Sequence, residues 1–179
     1  MAAAAEPLLI TVEQYREMPQ REDVVQELRW GQVVTLTRPK MKHTRLQYRL
    51  VELLRPKAAD KGIVMSEVPF RALPEYELRG ADVAFVSQAR WLEAEDDDNL
   101  RGSPELVIEV LSPSNTKTEM REKAALYLAT GAHEFWVVNP RQKNVTVMRR
   151  EGGALSYEIG QQIPLALFDG EIHVSDIFA

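Results

Sequence analysis

Leu106-Val107-Ile108-Glu109-Val110-Leu111 is apolar on both faces of the strand it would form, with a single carboxylate set inside it. An apolar run of this length between turn formers predicts a strand covered on both sides. Downstream, Ser112-Pro113-Ser114-Asn115 is dense in turn and N-cap residues, and it leads into a helix expected from about Lys117 to Thr130 and ended by Gly131. A second apolar strand, Glu134 to Val138, follows, with Val145 to Arg149 as its neighbour across the turn Asn139 to Asn144. Strand, helix and strand in this order are the signature of a βαβ crossover in a partly parallel sheet.

Upstream, Ile63 to Phe70 and Asp82 to Val86 read as two further strands. The connection Ser87 to Pro104 holds the acidic run Glu93, Glu95, Asp96, Asp97 and Asp98, which reads as a solvated loop. Leu46, Leu50, Leu53 and Leu54 recur at helical spacing, so a helix is expected from about Lys42 to Lys61, capped by Gly62, with Pro56 marking a kink or an early end. Thr11 and Gln14 form a capping box for a short helix that Pro19 closes, and Val24 to Thr37 folds as two strands about Trp30-Gly31. Gly152-Gly153 and Asp169-Gly170 punctuate a C-terminal set of short strands.

With 179 residues, 45% of them apolar and 27% charged, the chain reads as one α/β domain over residues 1–179 that buries its own core. The absence of cysteine excludes disulfides, thiolate metal sites and thiol nucleophiles, and leaves carboxylates, Lys, His, Ser and Thr to do any chemistry. The start MAAAAEPLLI has no basic region ahead of its apolar residues, and no later run is long enough for a membrane span, so a soluble, cytoplasmic protein is expected. A net charge of −5 gives no global attraction for a polyanion. A local basic stretch, Arg38, Lys40, Lys42, His43, Arg45 and Arg49, is the candidate nucleic-acid surface.

Glu109 is the most informative residue, because a buried carboxylate needs a cation, hydrogen-bond donors or a proton. Asp82 opens a second apolar strand, and two acids on adjacent strands can converge on one hard cation such as Mg²⁺, which takes oxygen ligands. Lys123 is the third anomaly. Met120, Lys123, Ala124 and Tyr127 form one helical stripe at i, i+3, i+4, i+7, so an ammonium interrupts a core-facing surface. It either snorkels to the helix edge or returns towards the carboxylates. An acid pair, a metal and a nearby Lys suit phosphodiester hydrolysis. Periodicity alone reads Glu27 as a surface carboxylate and His43 as a cap or surface residue, although either can join such a site.

Taken together, Glu27-Leu28 with Gly31-Gln32-Val33-Val34, His43 near a helix start, Ala81-Asp82-Val83-Ala84-Phe85, the block Gly102 to Ser114, Lys123 with Tyr127, and Gly131 with Glu134 to Val138 resemble the Uma-type family of restriction-endonuclease-like proteins, a branch of the PD-(D/E)XK nuclease superfamily. The resemblance covers nearly the whole chain, and its most specific part is Pro104 to Ser114 with Lys123 beyond it. It implies a restriction-endonuclease-like core: a mixed central β-sheet flanked by α-helices, with additional β-hairpins. By position it makes Asp82 the acid of the PD element, Glu109 that of the (D/E)XK element, and Glu27 the N-terminal acid. Leu111 stands where the superfamily has its Lys, and the resemblance assigns that role to Lys123. Ala81 replaces the Pro of the PD element and Asn139 replaces a frequent Asp; neither departure removes a catalytic group.

The reading that follows is a Mg²⁺- or Mn²⁺-dependent endonuclease acting on double-stranded DNA. Asp82, Glu109 and the Val110 carbonyl would bind metal, Lys123 would position or activate water, Glu27 would assist, and His43, Arg38, Lys40, Lys42 and Arg45 would meet phosphates. A homodimer is expected by analogy, since two sites on a two-fold axis cut both strands most simply. The alternative is a catalytically silent nucleic-acid-binding or scaffold module on the same fold.

Overall fold

A computed structural model describes residues 9–19, 21 and 23–179. Residues 1–8, most of the stretch MAAAAEPLLI, lie outside the described residues. The short helix α1 (Val12–Glu17) has the expected capping box, with the Thr11 hydroxyl accepting from Gln14 and the Gln14 side chain accepting from the Thr11 amide. Strands β1 (Val25–Arg29) and β2 (Gln32–Leu36) form a hairpin whose turn residues, Trp30 and Gly31, both have positive φ. That is the twist that a two-residue hairpin turn requires.

Helix α2 (Met41–Ala58) is followed by strands β3 (Gly62–Arg71) and β4 (Arg79–Ser87), the short helix α3 (Gln88–Glu93) and the two-residue strand β5 (Leu100–Arg101). Then come β6 (Leu106–Val110), α4 (Lys117–Ala129), β7 (Glu134–Asn139), β8 (Asn144–Arg149) and β9 (Gly152–Tyr157). A second hairpin, β10 (Gln162–Pro164) with β11 (Glu171–His173), and the single turn α5 (Val174–Ile177) complete the described chain.

Seven strands make the central sheet in the order β5-β3-β4-β6-β7-β8-β9. Strands β6 and β7 are parallel, from Leu106 opposite Glu134 to Val110 opposite Val138, with α4 as the crossover. The β3–β4, β4–β6, β7–β8 and β8–β9 ladders are antiparallel, so the sheet is mixed. Alternation along the strands builds two cores. Leu106, Ile108 and Val110 pack with Trp136, Val138 and the α2 residues Leu46, Leu50 and Leu54 on one face; Val107 packs with Phe135 and the α4 residues Met120, Ala124 and Tyr127 on the other. Because α2 and α4 cover opposite faces, every residue of β6 is buried.

Four sequence expectations are corrected. Helix α2 runs through Pro56, whose missing donor and ring matter little so close to the helix end, and it stops at Ala59 with φ 36°, not at Gly62. Gly62 instead opens β3 against β4, where an added Cβ would lie 2.1 Å from the Val86 carbonyl oxygen. Thr116 caps α4, its hydroxyl accepting from the Glu119 amide, because Asn115 is engaged in its own turn with the Ser112 amide at 2.8 Å. The acidic run is not wholly solvated: Glu93, Glu95, Asp96 and Asp97 are exposed, but Asp98 is inserted among cations.

Asp98 pairs with Arg16 at 2.6 Å, Arg101 at 2.9 Å and the buried Arg71 at 3.2 Å. Burial opposes its charge, but hydrogen bonds from Arg16, the Asn99 amide and Arg71 hold its carboxyl well below the usual range. A buried guanidinium needs counter-charge, and Asp98 with Glu13 supplies it.

Candidate functional site

The β4–β6 ladder ends at Val83 opposite Ile108, so the next positions across the two strands are Asp82 and Glu109. Beyond that pair the strands no longer bond each other, and the Asp82 side chain enters the gap: its Oδ2 accepts from the Val110 amide at 2.7 Å. Its Oδ1 faces α2, lying 2.9 Å from His43 Nε2 and 3.0 Å from Gln47 Nε2. His43 and Gln47 reach one carboxylate because residues four apart share a helix face. The Gln47 amide also donates to Glu67 Oε1.

Glu109 points to the other face of the sheet, towards α4, where Lys123 Nζ lies 2.8 Å from its Oε2. The stripe Met120, Lys123, Ala124 and Tyr127 is buried as its spacing predicts, and Lys123 turns to the carboxylate instead of snorkelling out. Glu109 Oε1 is buried with no hydrogen-bond partner among the described residues, as is the Tyr127 hydroxyl. Burial pushes the Glu109 carboxyl up to about 7; Lys123 opposes the shift, while Asp82 and Glu27 add to it. Burial works against the Lys123 charge, but Glu109 and Glu27 hold its pKa above the ordinary value. The two shifts have different leading causes, burial for Glu109 and neighbouring carboxylates for Lys123, and both keep protons in the pocket.

Glu27 is buried, which corrects the surface reading. The β1–β2 hairpin docks on the loop before β4 through the Leu28–Leu78 bridge, and this turns Glu27 inward. Its Oε1 accepts from the Gly80 amide at 2.9 Å and its Oε2 from Arg29 Nε at 2.8 Å. Arg29 also reaches Glu119 on α4 at 3.1 Å, so a charged chain ties the hairpin to the helix that carries Lys123.

The basic stretch does not form one surface. His43 turns into the pocket, where burial lowers its pKa but Asp82, Glu67 and Glu109 raise it further, for a net upward shift. Lys42 and Arg45 line a separate cavity of about 190 Å³ together with Arg49 and Lys143, while Arg38 and Lys40 are exposed before α2. Two residues of the pocket escaped sequence reasoning. Gln47 had a signal, four residues after His43 and beside the apolar Leu46 and Leu50. Glu67 had none.

Among the described residues, no group of three His, Asp or Glu side chains is arranged to hold a metal ion. The donor chemistry still fits a hard divalent cation: the unpartnered Glu109 Oε1 is a buried oxygen lacking a proton donor, and Asp82 stands across the strand pair from it. No described helix is long and apolar enough to cross a membrane.

A mixed sheet with a carboxylate on each of two adjacent central strands, and a lysine returned to one of them by a crossover helix, defines a restriction-endonuclease-like α/β protein. The chain belongs to the Uma2 family, described as "Putative restriction endonuclease", whose model matches residues 12–175. Its structure is similar to the crystal structure of a protein from Anabaena variabilis described as a putative nuclease belonging to DUF820, with a TM-score of 0.80 at 18% identity over 94% of this chain and 97% of that one. At that identity the likeness speaks for the fold. No protein of curated function matches the chain.

Proposed function

We propose that the protein is a divalent-metal-dependent endonuclease that hydrolyses phosphodiester bonds in double-stranded DNA. The observation that carries the proposal is Glu109: buried in the middle strand, with Lys123 on one oxygen and, among the described residues, no hydrogen-bond partner on the other. Asp82, Glu109 and the Val110 carbonyl would hold Mg²⁺ or Mn²⁺. A cation there supplies Lewis acidity towards a phosphate oxygen and lowers the pKa of water.

Lys123 stays protonated at neutral pH, since its pKa is shifted upward. It therefore donates hydrogen bonds and steadies negative charge instead of accepting a proton from water. Glu27 keeps Lys123 charged and, through Arg29 and Glu119, fixes α4 relative to the hairpin. His43, placed against Asp82, orients that carboxylate and can donate to a phosphate that enters the pocket. Lys42 and Arg45, on the side of α2 away from His43, would meet the phosphate backbone. A homodimer in the cytoplasm completes the proposal, as two-fold symmetry matches the two strands of a duplex.

The test is nicking of supercoiled plasmid by the wild type and Glu109→Gln side by side, with Mg²⁺ or Mn²⁺ and an EDTA control. Cleavage by the wild type alone supports the proposal. Equal cleavage by both, or none by either with a folded protein that binds DNA, overturns it, the latter in favour of the silent binding module.

A further inference from the structure

Lys42, Arg45 and Arg49 from α2 and Lys143 from the β7–β8 turn converge on one cavity of about 190 Å³, which the buried Leu46 and Ile177 also line. Among the described residues, no Asp or Glu side chain lines it. In a chain with 27 acidic and 22 basic residues, four cations gathered without an acid invert the overall balance of charge. Elsewhere the buried and half-buried arginines are matched: Arg29, Arg71, Arg79, Arg90 and Arg149 each pair with a carboxylate. Among the described residues, the side chains of Lys42, Arg45 and Lys143 have neither an ion pair nor a hydrogen bond.

Two of the four cations are held in place. Arg49 Nε donates to the Asp176 carbonyl oxygen at 2.7 Å, which fixes the guanidinium and leaves its terminal nitrogens without a described partner. Lys143 takes φ 53°, a left-handed conformation that glycine adopts more readily. Its amide closes the turn on the Asn139 carbonyl at 2.8 Å, and the Asn139 side chain accepts from the Arg141 and Gln142 amides. A lysine kept at a backbone position suited to glycine points to a use for its side chain.

This cavity and the acid pocket share one end of the sheet. Val110 lies opposite Val138 on the parallel neighbour, so the turn that carries Lys143 leaves the sheet beside the Val110 amide that holds Asp82. Helix α2 stands between them, with His43 and Gln47 against Asp82 and with Lys42, Arg45 and Arg49 on the cavity. A helix is ~10 Å across, a span that a strand advancing ~3.4 Å per nucleotide covers in a few nucleotides.

Four cations around one small concavity exceed what the single charge of an internal phosphodiester needs, and a groove that follows a backbone spreads its cations along the path. A terminal phosphomonoester carries about −1.5 to −2 at neutral pH and offers three acceptor oxygens. The cavity is also smaller than the ~300 Å³ at which sites for whole small-molecule ligands begin, so it suits a phosphate group and little more. We propose that it seats the phosphorylated end of a nucleic-acid strand and leaves a phosphodiester a few nucleotides inward at the acids. Ends and breaks that bear a phosphate are then the preferred substrate class. The cut inward of the end rests on the nuclease reading above; the seating of the end does not.

The experiment is fluorescence anisotropy with the full chain in EDTA, so that no turnover intervenes. Three short duplexes of one sequence are compared, with hydroxyl ends, with 5′-phosphates and with 3′-phosphates. One of the two phosphorylated forms is expected to bind the wild type about tenfold more tightly than the hydroxyl form. Lys143→Gln combined with Lys42→Gln, two exposed positions where folding is checked by circular dichroism, should reduce that preference to about twofold or less. Equal affinity of the wild type for all three duplexes overturns the proposal, and so does a preference that survives the double variant. A nucleoside monophosphate that binds as tightly as the phosphorylated duplex, and is lost in the double variant, assigns the cavity to a free nucleotide and overturns the strand end. Plasmid nicking is read separately: its absence with the end preference intact counts against the nuclease reading alone, and equal affinity with nicking intact counts against the end site alone.

Discussion

Lys123 Nζ lies 2.8 Å from Glu109 Oε2, and this contact joins the middle strand of the sheet to the crossover helix through two ionisable groups that are both buried. Removing one partner strands the other. Lys123→Met should destabilise the fold by about 3 kcal/mol, and the double variant with Glu109→Gln should recover part of that loss. Denaturant unfolding of the four proteins of the cycle gives the coupling; strict additivity would show that the pair does not act as a unit.

The raised pKa of Glu109 fixes the sign of a pH effect. Between the ordinary value of 4.5 and about 7, the folded chain keeps a proton that the unfolded chain has released. Folding therefore takes up protons in that window, and this group's contribution to stability falls as pH rises through it. With EDTA present, the melting temperature of the wild type relative to Glu109→Gln should drop from pH 5 to pH 8. A rise over that range would mean that the carboxylate is favoured in its charged form.

Asp98 separates itself from its acidic neighbours by what it touches. Asp98→Ala removes counter-charge from the buried Arg71 and should cost about 2 kcal/mol. Glu95→Ala, in the exposed part of the same run, should stay within about 0.5 kcal/mol of the wild type. Equal effects in urea unfolding would refute the distinction.

Lys42 and Arg45 share a cavity with Arg49 and Lys143, away from the carboxylates. Lys42→Glu with Arg45→Glu should weaken duplex DNA binding in a Glu109→Gln background. If the two side chains meet phosphates, the slope of log affinity against log salt should shrink by about 0.9 for each phosphate that is no longer neutralised. Fluorescence anisotropy over a salt series reads this, and an unchanged slope would place the DNA elsewhere.

Gly62 and Gly153 offer a contrast in backbone packing. A Cβ at Gly62 would collide with the Val86 carbonyl, whereas among the described residues nothing beyond its chain neighbours lies within 4 Å of one at Gly153. Gly62→Ala should cost about 2 kcal/mol or more, and Gly153→Ala should be near neutral, as judged by thermal melts.

The parts of the fold legible in the sequence are those written in local chemistry. Leu106 to Leu111 announces a strand covered on both faces, the Thr11 and Gln14 pair announces a helix start, and Trp30-Gly31 announces a hairpin. Glu109 and Lys123 could be singled out because each breaks an apolar pattern. Glu27 could not, because its burial comes from a hairpin docked through Leu28 onto Leu78, far along the chain. Glu67 is hidden for a similar reason: its neighbour Asp82 is set by strand register, and its left-handed φ leaves no mark on residue choice. Asp98 looks like the rest of its run until Arg16 and Arg71 are placed around it.

Strand β6 is fourth of seven in the sheet, with three strands on either side. Opening that begins at an outer strand must unpair its neighbours in turn before it reaches Glu109 or the Val110 amide that Asp82 engages. In hydrogen exchange, the amides of β6 should then release deuterium only when the whole domain opens, on the scale of global unfolding. Whatever motion admits and releases a ligand must come from α2 and the loops at the pocket mouth, while the acids themselves rest on the slowest-breathing part of the molecule.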